Sequence, residues 1–255
     1  MSETSGNPYA TDELGKVLAP SQGCSQKLVS ITVGVAIGFL LIGLMLPAVR
    51  TARPAARRMQ CSINLKQIGL AVASYEAAYR QLPPAYTIDP NGKPLHSWRT
   101  LILPYLEQAE LYAKVDLTKP WDDPANDEVR SASIGVFQCP EGKIPPGHTT
   151  YLAVITENSC LRPGTGRRMP EIRDGKANTL LTYESKPSES VHWMSPQDAD
   201  LEMFLSMGTK STSHYGGCNS VFLDGSVRFL SNESATHDLG AMVTIDGGEL
   251  FSSEQ

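Results

Sequence analysis

The longest apolar run of the chain lies near its beginning. The nineteen residues from Leu28 to Leu46 carry no charged side chain. A helix of that length, rising about 1.5 Å per residue, covers roughly 28 Å, which is close to the thickness of a bilayer's hydrocarbon core. We therefore predict a transmembrane helix over residues 28–46. Residues 1–27 are polar and rich in serine, glycine and proline, and we expect them to be a disordered N-terminal tail.

A different apolar pattern follows Pro47. Apolar residues recur at alternating steps of four and three, which predicts one buried stripe on an amphipathic helix. The stripe consists of Cys61, Leu65, Ile68, Val72, Tyr75 and Tyr79. We place this helix at residues 47–80, because "LPP" at 82–84 ends it. A cleaved signal peptide is the alternative for the preceding span, but Pro47 and several arginines stand where a small-residue cleavage site belongs.

Short elements fill residues 81–255. The stretch "SWRTLILPYLEQAELYAKV" predicts one or two short helices. Seven apolar runs between turn signals predict strands: "GVFQC", "TYLAVIT", "NTLLTYES", "SVHWM", "NSVFL", "SVRFL" and "AMVTI". Asp224 and Gly225 separate two of these runs and predict a hairpin with a type I′ turn. The pattern as a whole predicts an α+β fold, in which a long helix packs on a mainly antiparallel sheet with short helices.

Composition narrows the function classes. The chain has 255 residues, a net charge of −5 and a pI of about 5.6, so it lacks the basic surface that nucleic acid binding requires. The sequence contains no H-E-x-x-H, G-x-S-x-G, P-loop or G-x-G-x-x-G motif. We predict a protein that is not an enzyme, has no catalytic residues, needs no cofactor and does not bind nucleic acid.

Metal motifs are also missing from the sequence. Cys61, Cys139, Cys160 and Cys218 are separated by 78, 21 and 58 residues and form no C-x-x-C pair, so we predict no zinc site. A calcium candidate exists by composition alone and lacks EF-hand spacing; it comprises Asp122, Asp123, Asn126 and Asp127. The simpler interpretation is that Asp122 or Asp123 caps a short helix and Trp121 anchors the loop.

Several stretches between residues 28 and 250 form an ordered set. They are "LPAVRTARPAARRMQCSINLKQIGLAVASYEAAYRQLPPA", "PWDDPAND", "FQCPEG", "IRDGKANTLLTYES", "VHWMSPQDADL", "HYGGCNSVFLDGSVRFL" and "IDGGE". Together they closely resemble the large planctomycete prepilin-like family, whose domain is recognised by a histidine, nine residues and then Asp-Gly. His214 and Asp224 have that spacing.

The resemblance implies a pilin-like fold. This family is similar to type IV pilins and type II secretion pseudopilins, in which a long N-terminal helix lies half in the membrane and carries an extracytoplasmic sheet domain. Its function is uncharacterised, and it has also been labelled solute-binding-like. The family's prepilin peptidase site is missing here, because Ser25, Gln26 and Ser30 occupy the positions of its Gly, Phe and Glu. We therefore expect an uncleaved protein that stays anchored in the membrane.

The resemblance also implies a location and a disulfide. It places a single-pass protein in the cell inner membrane with its C-terminal domain outside the cytoplasm. The arginines that follow the span, Arg50 to Arg58, favour the opposite orientation by the positive-inside rule. Family stretches around "MQC" and "FQCP" suggest a disulfide between Cys61 and Cys139, with free buried thiols as the alternative.

The motif around the histidine is expected to be structural. It comprises His214, Gly216, Gly217, Asn219, Asp224 and Gly225. We expect His214 to bond to backbone or to Asp224 and to fix the loop before the hairpin, while Gly216 and Gly217 adopt backbone angles that favour glycine. Ligand binding, metal binding and general-base catalysis by His214 stay open at this point.

Three functions fit these observations. The favoured one is a structural or assembly protein of the cell envelope, pilin-like or pseudopilin-like, whose partners are the lipid bilayer and other envelope or pilin-like proteins. The alternative is a membrane-tethered module that binds a solute or glycan in a pocket lined by Trp98, Trp193 and Tyr215. An enzyme would need His214 and Asp224 to converge with a third ionisable group.

Overall fold

The computed structural model describes residues 24–140, 143–208, 214, 216–234 and 236–247. The chain divides into two compact units, Met1–Arg53 and Pro54–Gln255. Residues 1–23 of the predicted tail lie outside the described residues. The remaining four residues of that tail belong to the first helix, α1, which spans Cys24–Tyr79.

In the first unit, most of the described side chains of α1 are apolar, and the large apolar ones are exposed. Leu28 is 59% exposed, Phe39 72% and Leu40 64%. Within the part of the chain that the structure describes, no helix combines the length and the apolar character needed to cross a bilayer. The side chains of residues 44–46 of the predicted span lie outside the described ones. The transmembrane helix therefore stays a prediction.

In the second unit, α1 buries the predicted stripe. The exposed fractions of the first five stripe residues are 0%, 0%, 0%, 1% and 8%, for Cys61, Leu65, Ile68, Val72 and Tyr75. Gly69 lies so close to the sheet that a Cβ there would stand 2.9 Å from Val221 Cγ2. Tyr79 was wrongly included in the stripe: it is 57% exposed, because the helix ends there and Arg80 turns into a left-handed conformation.

Short helices and short strands alternate along the chain after α1. The helices are α2 (Trp98–Leu101), α3 (Ala109–Tyr112), α4 (Asp127–Arg130), α5 (Leu201–Leu205) and α6 (Thr236–Val243). Single 3₁₀ turns lie at Leu103–Leu106, Pro124–Asn126, Gly135–Phe137, Met169–Glu171, Pro187–Glu189 and Ser206–Gly208. The strands are β1 (Tyr86–Ile88), β2 (Pro94–Ser97), β3 (His148–Thr149), β4 (Tyr151–Leu152), β5 (Leu180–Glu184), β6 (Val191–His192), β7 (Gly217–Phe222) and β8 (Val227–Ser231).

The described strands form one four-stranded sheet and two small ladders. The main sheet has the order β4-β5-β7-β8, while β1 pairs with β2 and β3 pairs with β6. All of these pairings are antiparallel. The mixed α+β class, the antiparallel sheet and the short helices that the sequence predicts are confirmed.

The main sheet is covered on both faces. Leu181 and Val221 face the buried stripe of α1 in the larger hydrophobic cluster. Tyr183 and Phe222 point to the opposite face, where Phe204 of α5 covers them in a second cluster. Successive side chains of a regular strand face opposite sides, and a register irregularity between Leu180 and Thr182 puts Leu181 and Tyr183 on different faces. Both β5 and β7 are buried along their whole length. Any polar side chain on these strands is therefore taken out of water.

Two predicted strands are wrong. The run "AMVTI" lies mostly in α6, because Leu239 and Val243, four residues apart, form a buried helical face after the polar turn that starts at Thr236. The run "GVFQC" forms the 3₁₀ turn Gly135–Phe137, in which the side chain of Phe137 is buried in the core.

The hairpin between β7 and β8 is confirmed, but its turn type is corrected. Gly225 has a φ of 77°, whereas Asp224 is absent from the described non-glycine residues with positive φ. The amide of Gly225 donates to the carbonyl of Phe222 at 2.8 Å. A type I′ turn needs positive φ at both central residues. The loop is instead a type I turn closed by a glycine in the left-handed region.

Candidate functional site

Four side chains that can bind a metal meet between α1 and the main sheet. We call them the thiol cluster: Cys61, Cys139, Glu184 and His214. One donor atom from each residue lies within 4.8 Å of the donor atoms of the others. Their exposed fractions are 0%, 3%, 1% and 7%, in the same order. Among the described residues, this is the group of histidine, cysteine and acidic side chains close enough to hold an ion.

Each element delivers its residue for a local reason. Cys61 is the first residue of the stripe that α1 buries. Glu184 ends β5, and the register pairs it with Tyr151 of β4. Cys139 follows the Gly135–Phe137 turn, and its neighbour Gln138 is held to α1 because the Asn64 amide donates to the Gln138 carbonyl at 2.9 Å.

His214 is held by the glycines of its motif. The amide of Gly217 donates to the carbonyl of His214 at 3.3 Å. Gly216 has a φ of 84°, a conformation that costs a side chain dearly. A Cβ on Gly217 would stand 2.0 Å from the carbonyl oxygen of Leu230 on β8. The two glycines thus permit the tight entry into β7 that points His214 toward Glu184.

His214 meets Glu184 and not Asp224. Its Nε2 lies 2.9 Å from Glu184 Oε2, and Asn219 Nδ2 donates to the same oxygen at 3.3 Å. Asp224 lies in the hairpin turn, where its Oδ1 accepts from the amide of Ser226 at 2.8 Å. The suggested bond between His214 and Asp224 is wrong because the six-residue strand β7 separates them.

Burial and mutual contact shift the pKa values of the thiol cluster. Burial alone would lower the pKa of His214, but hydrogen bonds and charges of Cys139 and Glu184 outweigh it and raise that pKa to about 9. The hydrogen bond with Cys61, together with burial, raises the pKa of the Cys139 thiol. Burial and then the charge of Glu184 raise the pKa of the Tyr151 hydroxyl. Without a bound cation, the cluster therefore favours a neutral Cys139 thiol beside a protonated His214 imidazole.

Glu184 keeps one oxygen unused. Among the described residues, none provides a hydrogen-bond partner for its Oε1. Leaving a buried carboxylate oxygen unpaired costs free energy, because water no longer solvates it. The neighbouring Asn64 amide bonds to the Tyr151 hydroxyl at 3.4 Å rather than to this oxygen.

Cys61 and Cys139 come together as the resemblance suggested, but as two thiols. All four described cysteines are free. The structure thus shows the alternative, free buried thiols, and the two sulfurs share their surroundings with Glu184 and His214. The disulfide stays a prediction. Cys160 and Cys218 are not members of the cluster: their sulfurs lie near the Leu180 carbonyl and Met207. The Cys218 thiol also lies near the backbone of Glu184.

The calcium candidate does not assemble. Asp123 caps the 3₁₀ turn at Pro124–Asn126 by accepting from the Ala125 amide at 3.0 Å. Asn126 is buried and bonds through its side chain to the backbone of Asp116 and Pro120. Asp127 pairs with Arg130, and Asp122 is exposed. Asp123 therefore caps a short helical turn, as the simpler interpretation predicts.

The aromatic residues suggested for a binding pocket lie in the core. Trp98 and Trp193 are 0% and 1% exposed, and their ring nitrogens bond to Asp198 and to the Ala132 carbonyl. Tyr215 lies outside the described residues. An open groove of about 800 Å³ does lie beside Cys139, between Asn64 and Pro146. It leads from solvent to one edge of the thiol cluster.

Sequence reasoning missed Glu184. A signal for it exists: an acidic residue at the end of the apolar run "NTLLTYE" sits in a strand that is buried on both faces. A carboxylate is seldom buried unless a partner or a metal balances it. Two sulfurs, one imidazole nitrogen and one carboxylate form a donor set that suits a borderline-soft divalent metal.

Sequence similarity assigns the chain to a protein family. No curated protein and no solved structure matches it. Residues 50–213 match a family described as a protein of unknown function, DUF1559. The match covers more than half of the chain and includes Cys61, Cys139 and Glu184. The chain therefore belongs to the DUF1559 family.

Proposed function

We propose that this chain is a membrane-anchored, non-catalytic structural or assembly protein of the cell envelope, of the pilin-like or pseudopilin-like kind. The observation that carries the proposal is the contrast along α1, whose early side chains are apolar and exposed while its later stripe is buried under the sheet. A continuous exposed apolar surface marks a site that contacts lipid or another protein. The absence of charge from Leu28 to Leu46 favours lipid.

The second unit supports a role as a rigid head. Its sheet is covered on both faces, and α1 is fixed to it by contacts beyond the apolar stripe. The Lys66 ammonium donates to the Gly225 carbonyl at 2.6 Å, and the Arg58 guanidinium stacks 3.5 Å from the centre of the Phe229 ring. These contacts fix the later part of α1 within the folded second unit.

The resemblance to prepilin-like proteins supports the remaining parts of the proposal. It favours the inner membrane, a head outside the cytoplasm, and other envelope or pilin-like proteins as partners. Ser25, Gln26 and Ser30 replace the peptidase motif, which favours a permanent anchor over a released filament subunit.

Membrane extraction of the full chain tests the anchor. We expect the protein to stay with membranes after alkaline carbonate treatment. Replacing Ile37 and Leu40 by arginine should release it, because each charge near the centre of a membrane helix costs about 2.5 to 3.5 kcal/mol. The matched control carries Ile63→Arg and Leu70→Arg, two exposed apolar positions of the second unit, and should stay with the membranes.

Release of the unaltered chain by carbonate would contradict the anchor. Protease added outside the inner membrane should digest the second unit, and protection of that unit would contradict its placement outside the cytoplasm. Crosslinking in native membranes should join the chain to envelope or pilin-like proteins, and capture of none of these would contradict the assembly role.

A further inference from the structure

We propose that the thiol cluster binds one zinc ion, which ties α1 to the sheet. The site needs neither the membrane anchor nor an envelope partner, because all four donor residues belong to the second unit. It therefore stands or falls separately from the proposed function.

The donor set selects the metal. Thiolate sulfur, imidazole nitrogen and carboxylate oxygen are the three ligand types that zinc combines in proteins. Calcium and magnesium prefer oxygen donors throughout, whereas two cysteines in one site favour zinc. Four protein ligands complete a tetrahedron, which is the arrangement of a structural zinc site rather than a catalytic one.

The spacing suits a tetrahedral ion after small side-chain movements. Zinc bonds of about 2.0 to 2.3 Å place neighbouring ligand atoms roughly 3.3 to 3.8 Å apart. The four donor atoms lie within 4.8 Å of one another, so the longest separations need to shorten by about 1 Å. His214 Nε2 and Glu184 Oε2, now 2.9 Å apart, would separate slightly as the metal replaces their hydrogen bond.

Neighbouring groups hold the ligands in place. The Asn219 amide donates to Glu184 Oε2 and leaves Oε1, which has no hydrogen-bond partner among the described residues, available for the ion. The bond from Asn64 to the Gln138 carbonyl fixes the chain next to Cys139. Groups that orient metal ligands in this way contribute to metal affinity.

The ion offsets most of the negative charge that its ligands acquire. Both cysteines must lose their thiol protons to bind zinc, and a protonated His214 must lose one as well. The site then holds two thiolates, one carboxylate and a divalent ion, with a net charge of −1. Without the ion, a second buried anion in this cluster would have little to offset it.

A disulfide explains fewer of the observations than a metal does. Joining Cys61 to Cys139 would leave the carboxylate and imidazole beside the bridge and would give Glu184 Oε1 no partner. A zinc ion uses all four side chains at once. The groove beside Cys139 offers it a route from solvent.

Metal analysis of the reduced, full-length chain, purified in detergent and without a polyhistidine tag, tests the proposal. We expect about one zinc per chain by plasma mass spectrometry, as a four-ligand site requires. The double variant Cys61→Ser and Cys139→Ser should lose at least nine-tenths of that zinc. The matched control, Cys160→Ser with Cys218→Ser, changes two buried cysteines outside the cluster and should keep it.

Three results would overturn the proposal. One is an unaltered chain that contains no zinc and takes up none when one equivalent is added. Another is isolation of the chain, alkylated on lysis, with Cys61 and Cys139 joined in a disulfide. The third is zinc retained by the Cys61 and Cys139 double variant, which would place the metal elsewhere.

Cobalt substitution keeps the test valid if that double variant fails to fold. Co²⁺ added to the zinc-free unaltered chain should give the intense sulfur-to-cobalt absorption of a thiolate site. Chelation of the cobalt-loaded chain should abolish these bands. A cobalt spectrum without thiolate bands, or thiolate bands that persist in the Cys61→Ser variant, would contradict the site.

Discussion

Two buried polar clusters near Tyr151 differ in how many of their polar atoms have hydrogen-bond partners. The ion-pair cluster consists of Arg99 and Asp198 with the groups that bond to them. Both Asp198 oxygens are used: Oδ1 accepts from Arg99 and from the Ala153 amide at 2.8 Å, and Oδ2 accepts from Trp98 Nε1 at 3.2 Å. The Arg99 guanidinium also donates twice to the Tyr151 carbonyl, at 3.0 and 2.9 Å.

The thiol cluster lacks this completeness. Within the described part of the chain, one of its carboxylate oxygens has no hydrogen-bond partner and two thiols lie beside a histidine, although it is buried to a similar degree. A buried network in which each charge and each hydrogen-bonding group has a partner needs no further component, because each group compensates another. An incomplete network at equal burial indicates that a further component belongs there.

Breaking the ion-pair cluster should have the largest effect. Asp198→Asn leaves the Arg99 guanidinium buried without its anion, and we expect the free energy of unfolding to fall by about 3 to 5 kcal/mol. Urea unfolding at neutral pH measures the change. The control is Glu128→Gln, which removes the exposed ion pair with Lys114 and should leave the urea midpoint unchanged. Equal midpoints for the two variants would show that the buried pair is dispensable.

Removing the metal should have the next largest effect. At a free zinc concentration of 100 to 1,000 times the dissociation constant, binding stabilises the folded chain by about 2.7 to 4.1 kcal/mol. Chelation should therefore lower the melting temperature of the unaltered chain. It should leave that of Cys61→Ser unchanged. A melting temperature that ignores the chelator in both would contradict the distinction between the two clusters.

A substitution at the close contact between β7 and β8 should have a smaller effect on the free energy of unfolding. Gly217→Ala should destabilise the chain by about 1 to 3 kcal/mol, because the new Cβ meets the Leu230 backbone and neither strand can yield freely. It should also weaken zinc binding by displacing His214. Gly135→Ala, where a Cβ has open space, is the control for both readouts. Unaltered zinc affinity in the Gly217 variant would show that His214 does not depend on this contact.

Acidic pH should have the smallest effect on stability, through the second histidine, His192. His192 Nε2 donates to the Arg130 carbonyl at 3.1 Å, and its Nδ1 accepts from the Met194 amide at 3.2 Å. Burial, and then the neighbouring charges of His148 and Arg130, lower its pKa to about 4. As the pH falls from about 6.5 to about 4, the unfolded chain gains a proton that the folded chain does not, so stability falls. Because solvent screens this half-buried side chain, we expect a loss of about 1 kcal/mol.

His192→Gln keeps a donor and an acceptor but cannot titrate. Its free energy of unfolding should therefore decline less over this pH range than that of the unaltered chain. Urea unfolding at several pH values measures the difference. Parallel declines would assign the acid sensitivity to other groups, such as His96, whose pKa is also lowered by burial.

The sequence predicted the packing of α1 against the sheet better than it predicted the thiol cluster. The stripe from Cys61 to Tyr75 was readable because helix periodicity reports burial directly. The run "AMVTI" misled because a short apolar run suits either a strand or a helix until its neighbours are considered. The Asp-Gly signal predicted a hairpin correctly but not its turn type.

The thiol cluster could not be read from spacing. Its four residues come from α1, a loop, β5 and the entry to β7, so no short motif joins them. Only the sheet register, which pairs Tyr151 with Glu184, brings the carboxylate under α1. His214 was singled out, but its partner was sought ten residues away instead of on the neighbouring strand.

X-ray absorption at the zinc edge of the purified full-length chain tests the central claim most directly. The account predicts a zinc ion bound by two sulfurs at about 2.3 Å and two nitrogen or oxygen atoms at about 2.0 to 2.2 Å. The sulfur shell should vanish from any zinc that remains in the Cys61→Ser and Cys139→Ser double variant. No zinc edge in the unaltered chain, or a first shell without sulfur, would contradict the account.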